Sequence, residues 1–201
     1  MTVRPNYEQA VAHAVNQLRG NLDPQLTYHN LWHTENDVIP AALRLADASG
    51  IAEDDMILLR VAAAYHDVGF VYTTEGHEIA SAREAAQTLP QFGFSDRQIE
   101  RVMGLIMATR LPQSPRNLLE EILADADLDV LGRDDFLIRN RQLRQEMANY
   151  GQSMTDREWL HFQLEFLQEH TYFTAAARAC RVDKKLAHYQ AIQVEFEKLV
   201  S

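Results

Sequence analysis

Two histidines open the chemistry of this chain: His29 and His33 stand four apart in Tyr28-His29-Asn30-Leu31-Trp32-His33. That spacing puts both imidazoles on one face of a helix. Asn30 stands where the zinc-protease motif H-E-x-x-H keeps its catalytic Glu, so a metalloprotease is a poor reading. A His66-Asp67 pair follows Ala62-Ala63-Ala64-Tyr65 and precedes Val68-Gly69, at the end of an apolar helical stretch. Neighbouring residues are about 100° apart on a helix, so this imidazole and carboxylate can converge near its end. Such a pair is a half-site for a divalent cation. The alternative, an unpaired buried charge, is costly.

Asp125, Asp127 and Asp129 alternate in Ala124-Asp125-Ala126-Asp127-Leu128-Asp129. Leu119, Leu123 and Ala126 mark the buried stripe there, and Asp127 lies on it. Asp127 is therefore the carboxylate expected to be buried and to need a cation, with Asp125 and Asp129 solvated on the other side. Gly76-His77-Glu78 starts a further helix, where the dipole favours an anion. A lone histidine on an apolar face is more often a hydrogen-bonded core residue than a ligand. His13, His161, His170 and His188 take that reading, and His29 alone could brace its loop. The combination of His33, His66-Asp67 and Asp127, each set in a helical core pattern, points instead to a mononuclear metal site.

The elements that must position these groups are helices throughout, because no run alternates apolar and polar residues. Tyr7, Val11, Ala14 and Leu18 form one stripe, stopped by Gly20. A second helix lies within 33–50, with Val38, Ala42 and Leu45 inward and a late start or kink at Pro40. Asp54 or Asp55 caps a third, with Leu58, Ala62 and Tyr65 inward and an end at Gly69. A fourth runs from His77 to Leu89, where Pro90 and Gly93 break it. Ser95 with Gln98 is a capping box for a fifth, carrying Ile99, Val102, Met103 and Ile106. Asn117 opens a sixth, with Leu119, Ile122, Leu123, Ala126 and Val130, stopped by Gly132. Thr155 with Glu158 is a second capping box, ahead of Trp159, Phe162, Phe166 and Leu167. The last helix covers 182–200. The expected fold is all-α, eight or nine helices in one domain over 1–201, with the metal-binding core in about 26–132 and a C-terminal helical extension over 133–201.

The chain has 201 residues, 46% apolar and 24% charged, the balance of an ordinary globular protein. Nineteen bases against 29 acids give a net charge of −10, which argues against a nucleic-acid partner. The single cysteine, Cys180, excludes a disulfide framework and a Cys-rich zinc site. No apolar run is long enough to cross a membrane and MTVRPNYEQA has no secretory apolar core, so the expected setting is cytoplasmic and free of membranes.

The residues resemble the HD-domain metal-dependent phosphohydrolases, in particular the small stand-alone HD-superfamily subgroup. Their pattern is a first His, a His-Asp pair at a helix end and a later Asp, contributed by different helices of a bundle. It matches His33 in Tyr-His-Asn-Leu-Trp-His-Thr, His66 and Asp67 in Ala-Tyr-His-Asp-Val-Gly, and Asp127 in Ala-Asp-Ala-Asp-Leu-Asp. The resemblance covers most of the chain. Relatives with two or three metals carry further histidines after the His-Asp pair. Here only His77 could serve, and Met107-Ala108-Thr109-Arg110 offers none, which favours one metal.

What the resemblance implies is hydrolysis of a phosphate ester of a nucleotide or similar small metabolite. His33, His66, Asp67 and Asp127 would hold one divalent cation. Two imidazoles and two carboxylates suit Mn²⁺, Fe²⁺, Co²⁺, Ni²⁺ or Zn²⁺ better than Mg²⁺. Asp67 and Glu78 are the expected catalytic carboxylates for water. His29, His77, Arg110 and Arg133 are expected at the phosphate, where arginine's forked donors suit its oxygens. Arg141 and Arg144 are expected to pair with Glu146 or other acids on their own helices. The alternative is a regulatory module that binds metal and nucleotide without turnover. A di-iron oxygenase fits poorly for want of histidines, and a metal-free scaffold predicts no stoichiometric metal and a His66→Ala variant of nearly unchanged stability.

Overall fold

In the computed structural model, which describes residues 5–200, Asn6 accepts from the Gln9 N–H and so caps the first helix, α1 (Tyr7–Asn21). Asn30 orders the next segment: its Oδ1 accepts from the Trp32 and His33 N–H groups, and its amide donates to the Thr27 carbonyl. A π-helical turn (His33–Val38) then leads into α2 (Ile39–Ala48). Pro40 falls in the first turn of α2, where its missing N–H costs no helical bond, so the regular helix begins late, as Pro40 predicts. The remaining helices are α3 (Glu53–Tyr65), α4 (His77–Thr88), α5 (Asp96–Ala108), α6 (Leu118–Asp127), α7 (Phe136–Asn149), α8 (Asp156–Glu169) and α9 (Ala175–Val200). There is no strand among the described residues.

Helix α3 occupies the centre and packs on α1, α2, α5 and α6. Val61, Ala62, Ala63, Ala64 and Tyr65 are all fully buried, and the small side chains let neighbours approach on every side. Both capping boxes form, Ser95 with Gln98 and Thr155 with Glu158. Asn117 caps α6 by accepting from the Glu120 N–H. Ala52, rather than an aspartate, precedes α3, so Glu53, Asp54 and Asp55 all lie in its first turn, facing the positive end of the helix.

Two turns bring helices into backbone contact. After α3 a 3-10 turn (Val68–Val71) packs under the start of α4: the Gly69 N–H donates to Ser81 Oγ at 2.7 Å. A Cβ on Gly69 would stand 1.9 Å from the His77 carbonyl oxygen, so only glycine fits. A second 3-10 turn (Asp129–Gly132) follows α6 and carries α9. There a Cβ on Gly132 would meet the Arg181 carbonyl oxygen at 2.5 Å. Leu167 of α8 and Ala177 and Ile192 of α9 join the same apolar core as α3 and α6.

The aspartate triplet departs from expectation. Asp125 and Asp129 are buried, while Asp127 keeps 19% of its side chain exposed. Asp125 accepts from the Phe173 and Thr174 N–H groups and the Thr174 hydroxyl, so it caps the approach to α9. Asp129 takes Arg44 at 2.6 Å and Arg181 at 2.7 and 2.8 Å. Both carboxylates are satisfied by partners far along the chain, which no local periodicity reveals. His161 is likewise exposed, pairing with Glu165 across one turn of α8, instead of lying in the core. Among the described residues no helix is long and apolar enough to cross a membrane.

Candidate metal centre

Three helix ends meet at one point. His33 opens the π-helical turn, His66 and Asp67 follow the last residue of α3, and Asp127 is the last residue of α6. The C-termini of α3 and α6 both bring the negative end of the helix dipole there, which favours a cation.

One donor each from His33, His66 and Asp127 lies within 4.8 Å of the others. His33 Nε2 is 3.2 Å from Asp127 Oδ1, and His66 Nε2 is 3.4 Å from the same oxygen. Asp67 Oδ2 joins from the imidazole side, 3.2 Å from His66 Nε2 and 3.7 Å from His33 Nε2. Ligands each about 2.1 Å from a shared ion stand roughly 3.0–3.4 Å apart, so these separations fit the edges of a coordination polyhedron. His66 Nε2 and Asp67 Oδ2 are buried and make no hydrogen bond, although each lies at ion-pair distance from its neighbours. Such orphaned atoms are rare in a folded protein, and facing one another they suit a cation.

The imidazole orientations agree. His66 Nδ1 lies 2.8 Å from the Ala63 carbonyl and donates its proton there, freeing Nε2. His33 Nδ1 faces Asp37 Oδ2 at 3.4 Å. Asp37 is buried and in turn held by Arg133 and by Arg139 at 3.2 Å. A carboxylate behind a ligating imidazole fixes its tautomer and raises its basicity.

Burial disfavours every charge here, yet the charges win. Burial lowers the His66 pKa, but Asp67 and Asp127 beside it leave it well above its ordinary value. Burial likewise opposes the charged form of His33, and Asp127 and Asp37 outweigh it and raise its pKa. Asp67 and Asp127 are pushed up by burial but end far below the usual carboxylate range through the imidazoles they face. The cluster thus keeps ionised carboxylates and holds positive charge among its donors, a charge that a divalent ion can supply in place of protons.

The other expected residues divide. His77 Nε2 lies 3.5 Å from Asp67 Oδ1 and 3.7 Å from Glu78 Oε1, so His77 and Glu78 border the cluster on the oxygen that Asp67 turns away from it. His29 stacks on Phe70 with ring centres 4.7 Å apart, and Phe70 on His77 at 3.9 Å, which roofs the site with rings. Arg133 lies behind the His33 ring, paired with Asp37 and Asp135. Arg110 lines a separate surface cleft with Met103, Met107, Arg116 and Glu120.

Three residues of the site stand outside the expected set. Asp37 could be found from its spacing, four after His33. Glu146 accepts from the Tyr28 and His29 N–H groups and binds His29 Nδ1. Burial raises its pKa, but the His29 ring and those two N–H groups hold it below the ordinary value. Glu146 is therefore not a partner of Arg141 or Arg144. Arg144 instead pairs with Asp156. Arg139 places its guanidinium 4.7 Å from the ring centres of both Tyr28 and Trp32.

Among the described residues a His, a His-Asp pair and an Asp converge from the ends of helices in an all-helical fold. Residues 37–129 match the family model of the HD domain. His33 lies four residues before the match, and α7 to α9 follow it. The structure is similar to a crystal structure described as a predicted HD superfamily hydrolase from an uncultured Thermotogales bacterium. The TM-score is 0.64 at 20% identity, over 97% of this chain and 94% of the other. No curated protein matches the sequence significantly.

Proposed function

We propose that this protein is a metal-dependent phosphohydrolase that cleaves a phosphate ester of a small metabolite, a nucleotide or a similar compound. The observation that carries this reading is the facing pair of buried, unpartnered donors, His66 Nε2 and Asp67 Oδ2, completed by His33 and Asp127. A bound divalent cation supplies two things: an acidified water and neutralisation of charge on the phosphoryl oxygens.

The chain's own residues do the rest. His33 and His66 present Nε2 lone pairs, held in orientation by Asp37 and the Ala63 carbonyl. Water attacks phosphorus, and its proton passes to Asp67 or Glu78, the carboxylates that flank His77 Nε2. The ester P–O bond breaks, and the leaving oxygen takes up a proton. His77 borders the cluster and would donate to a phosphoryl oxygen, since Arg133 is already committed to two carboxylates. The ring roof of His29, Phe70 and His77 keeps bulk water away, which strengthens each of these interactions.

The test is phosphate release from a panel of nucleotides and sugar phosphates with added Mn²⁺, with metal content measured on the same protein. Wild type is expected to release phosphate and to hold metal stoichiometrically, and Asp127→Ala to lose both. Metal-loaded wild type that is silent across the panel would favour a binding module without turnover. Metal-free wild type that Asp127→Ala leaves equally stable would remove the site.

A further inference from the structure

The end of α5 and the chain leading into α6 border a cleft of about 550 Å³, the size of a small-molecule site. Met103, Met107, Leu111 and Pro112 give it an apolar lining, and no donor of the metal centre lines it.

Gly104 lines the cleft from the interior of α5, and no contact requires a glycine there. Its backbone is not in the left-handed region. A Cβ would find Glu120 Oε1, the far end of a flexible side chain, as its nearest neighbour at 3.4 Å. Gly69 and Gly132 differ, because there a Cβ would strike backbone atoms. An interior glycine weakens a helix relative to alanine, so packing gives no reason for this one. What the absent side chain does is leave the cleft open beside Met103 and Met107.

Two guanidiniums line the same cleft without a partner. The Arg110 and Arg116 side chains make no ion pair and no hydrogen bond with any described residue. Glu120 is the one acid in the lining, and both its oxygens are engaged. Its Oε2 accepts from the Arg116 backbone N–H and its Oε1 from the Asn117 amide, each at 2.7 Å. Two cations left over in one cleft of a chain with net charge −10 point to an anion from outside. Arginine forks match the paired oxygens of a carboxylate or a phosphate. An inorganic anion would leave the methionines and Leu111 against water, and a neutral apolar ligand would leave both guanidiniums unmatched. Methionine is unbranched and polarizable, so it moulds itself to an apolar body of varied shape.

We infer that this cleft binds a small organic anion, a carboxylate or phosphate carried on an apolar body. Arg110 and Arg116 take the oxyanion, and Met103, Met107 and Leu111 take the body. The site stands whether or not the metal centre cleaves a phosphate ester.

The probes are 4-phenylbutyrate and 3-phenylpropylphosphonate, which present the two oxyanions on one apolar body. The neutral 4-phenylbutanol and the bare anion acetate are the controls. Binding is measured by calorimetry on wild type, Arg110→Gln and Gly104→Leu. Melting curves are taken first, with Gly104→Ala included. Gly104→Ala is expected to melt higher than wild type, and Arg110→Gln and Gly104→Leu no lower. A lower melting temperature for Gly104→Ala would show that packing needs the glycine and would overturn the inference. At least one of the two amphipathic anions is expected to bind wild type at millimolar concentration or below, and neither control to match it. The tighter of the two identifies the oxyanion. Arg110→Gln is expected to bind it about tenfold or more weakly, through loss of a charged donor. Gly104→Leu, which fills the cleft, is expected to lose binding to a similar degree. Binding that both variants keep lies elsewhere, the metal centre included, and overturns the inference. So does 4-phenylbutanol binding as tightly as 4-phenylbutyrate, or no binding of either anion at millimolar concentration.

Discussion

Asp37 shows how much of the behaviour of His33, a proposed metal ligand, lies behind it. Its Oδ2 faces His33 Nδ1, and the same carboxylate gathers Arg133 and Arg139, so one buried acid serves three partners. Asp37→Asn keeps the volume but removes the charge that makes the imidazole a strong donor. Metal affinity, read by competition against a chromophoric chelator, is expected to fall about 10- to 100-fold. Melting temperature of metal-free protein is expected to fall as well, since two arginines lose their shared anion. Unchanged affinity in a well-folded variant would show that Asp37 only anchors the arginines. The spacing of His33 and Asp37 is the same four-residue step that relates His29 to His33, so this contact was within reach of the sequence. Arg139 and Glu146 were not, because they meet Tyr28 and His29 across more than 100 residues of chain.

Helix ends, more than helix faces, build the centre, and this explains which elements the sequence announced. Caps, breakers and apolar stripes placed α1 to α6 and the box at Thr155, because those signals are local. Helix α7 escaped them: its buried positions include Arg139, Asn140 and Glu146, so its inward face does not look apolar. Arg139 and Glu146 are buried there against Asp37, Tyr28 and His29, so the pattern that marks a core helix is absent. Helix α9 likewise starts at Ala175, before the expected 182, because its approach is secured by Asp125 from another helix. At the junction of α3 and α4 the Cβ of Gly69→Ala would meet the His77 carbonyl at 1.9 Å. The backbone must move, so the variant is expected to lose about 1–3 kcal/mol in urea titration. Metal retention should fall with it, because the same shift separates His77 from Asp67. Wild-type stability would mean that the two segments part without strain.

Helix α9 is fastened to the preceding helices by charge as well as by apolar packing, and this can be weighed over the whole molecule. Asp129, at 1% exposure, ties Arg44 of α2 to Arg181 of α9. Asp129→Ala removes a buried acceptor from two partly solvated arginines and is expected to cost about 1–3 kcal/mol, whereas a solvated aspartate would cost about 0.5 kcal/mol or less. A chemical denaturation midpoint separates the two. The acid limb of stability has a different owner, at the junction of α8 and α9. Burial first, and then the Lys185 ammonium, push the His170 imidazole down to about 3 from an ordinary 6.5. Lys185 donates to His170 Nδ1 at 3.3 Å and to the His170 carbonyl, so the ring is held neutral as an acceptor. In the unfolded chain the same ring takes a proton near pH 6.5. The unfolded state therefore binds more protons below that pH, and the contribution of neutral His170 is complete above about 6.5 and is lost as pH falls toward 3. One proton corresponds to a slope of at most about 1.4 kcal/mol per pH unit in that window. His170→Gln keeps an acceptor for Lys185 but cannot titrate, so its stability should fall less steeply than wild type between pH 6.5 and 4, with the two curves converging in slope above pH 7. Parallel curves throughout would place the acid sensitivity elsewhere and leave His170 a neutral packing residue.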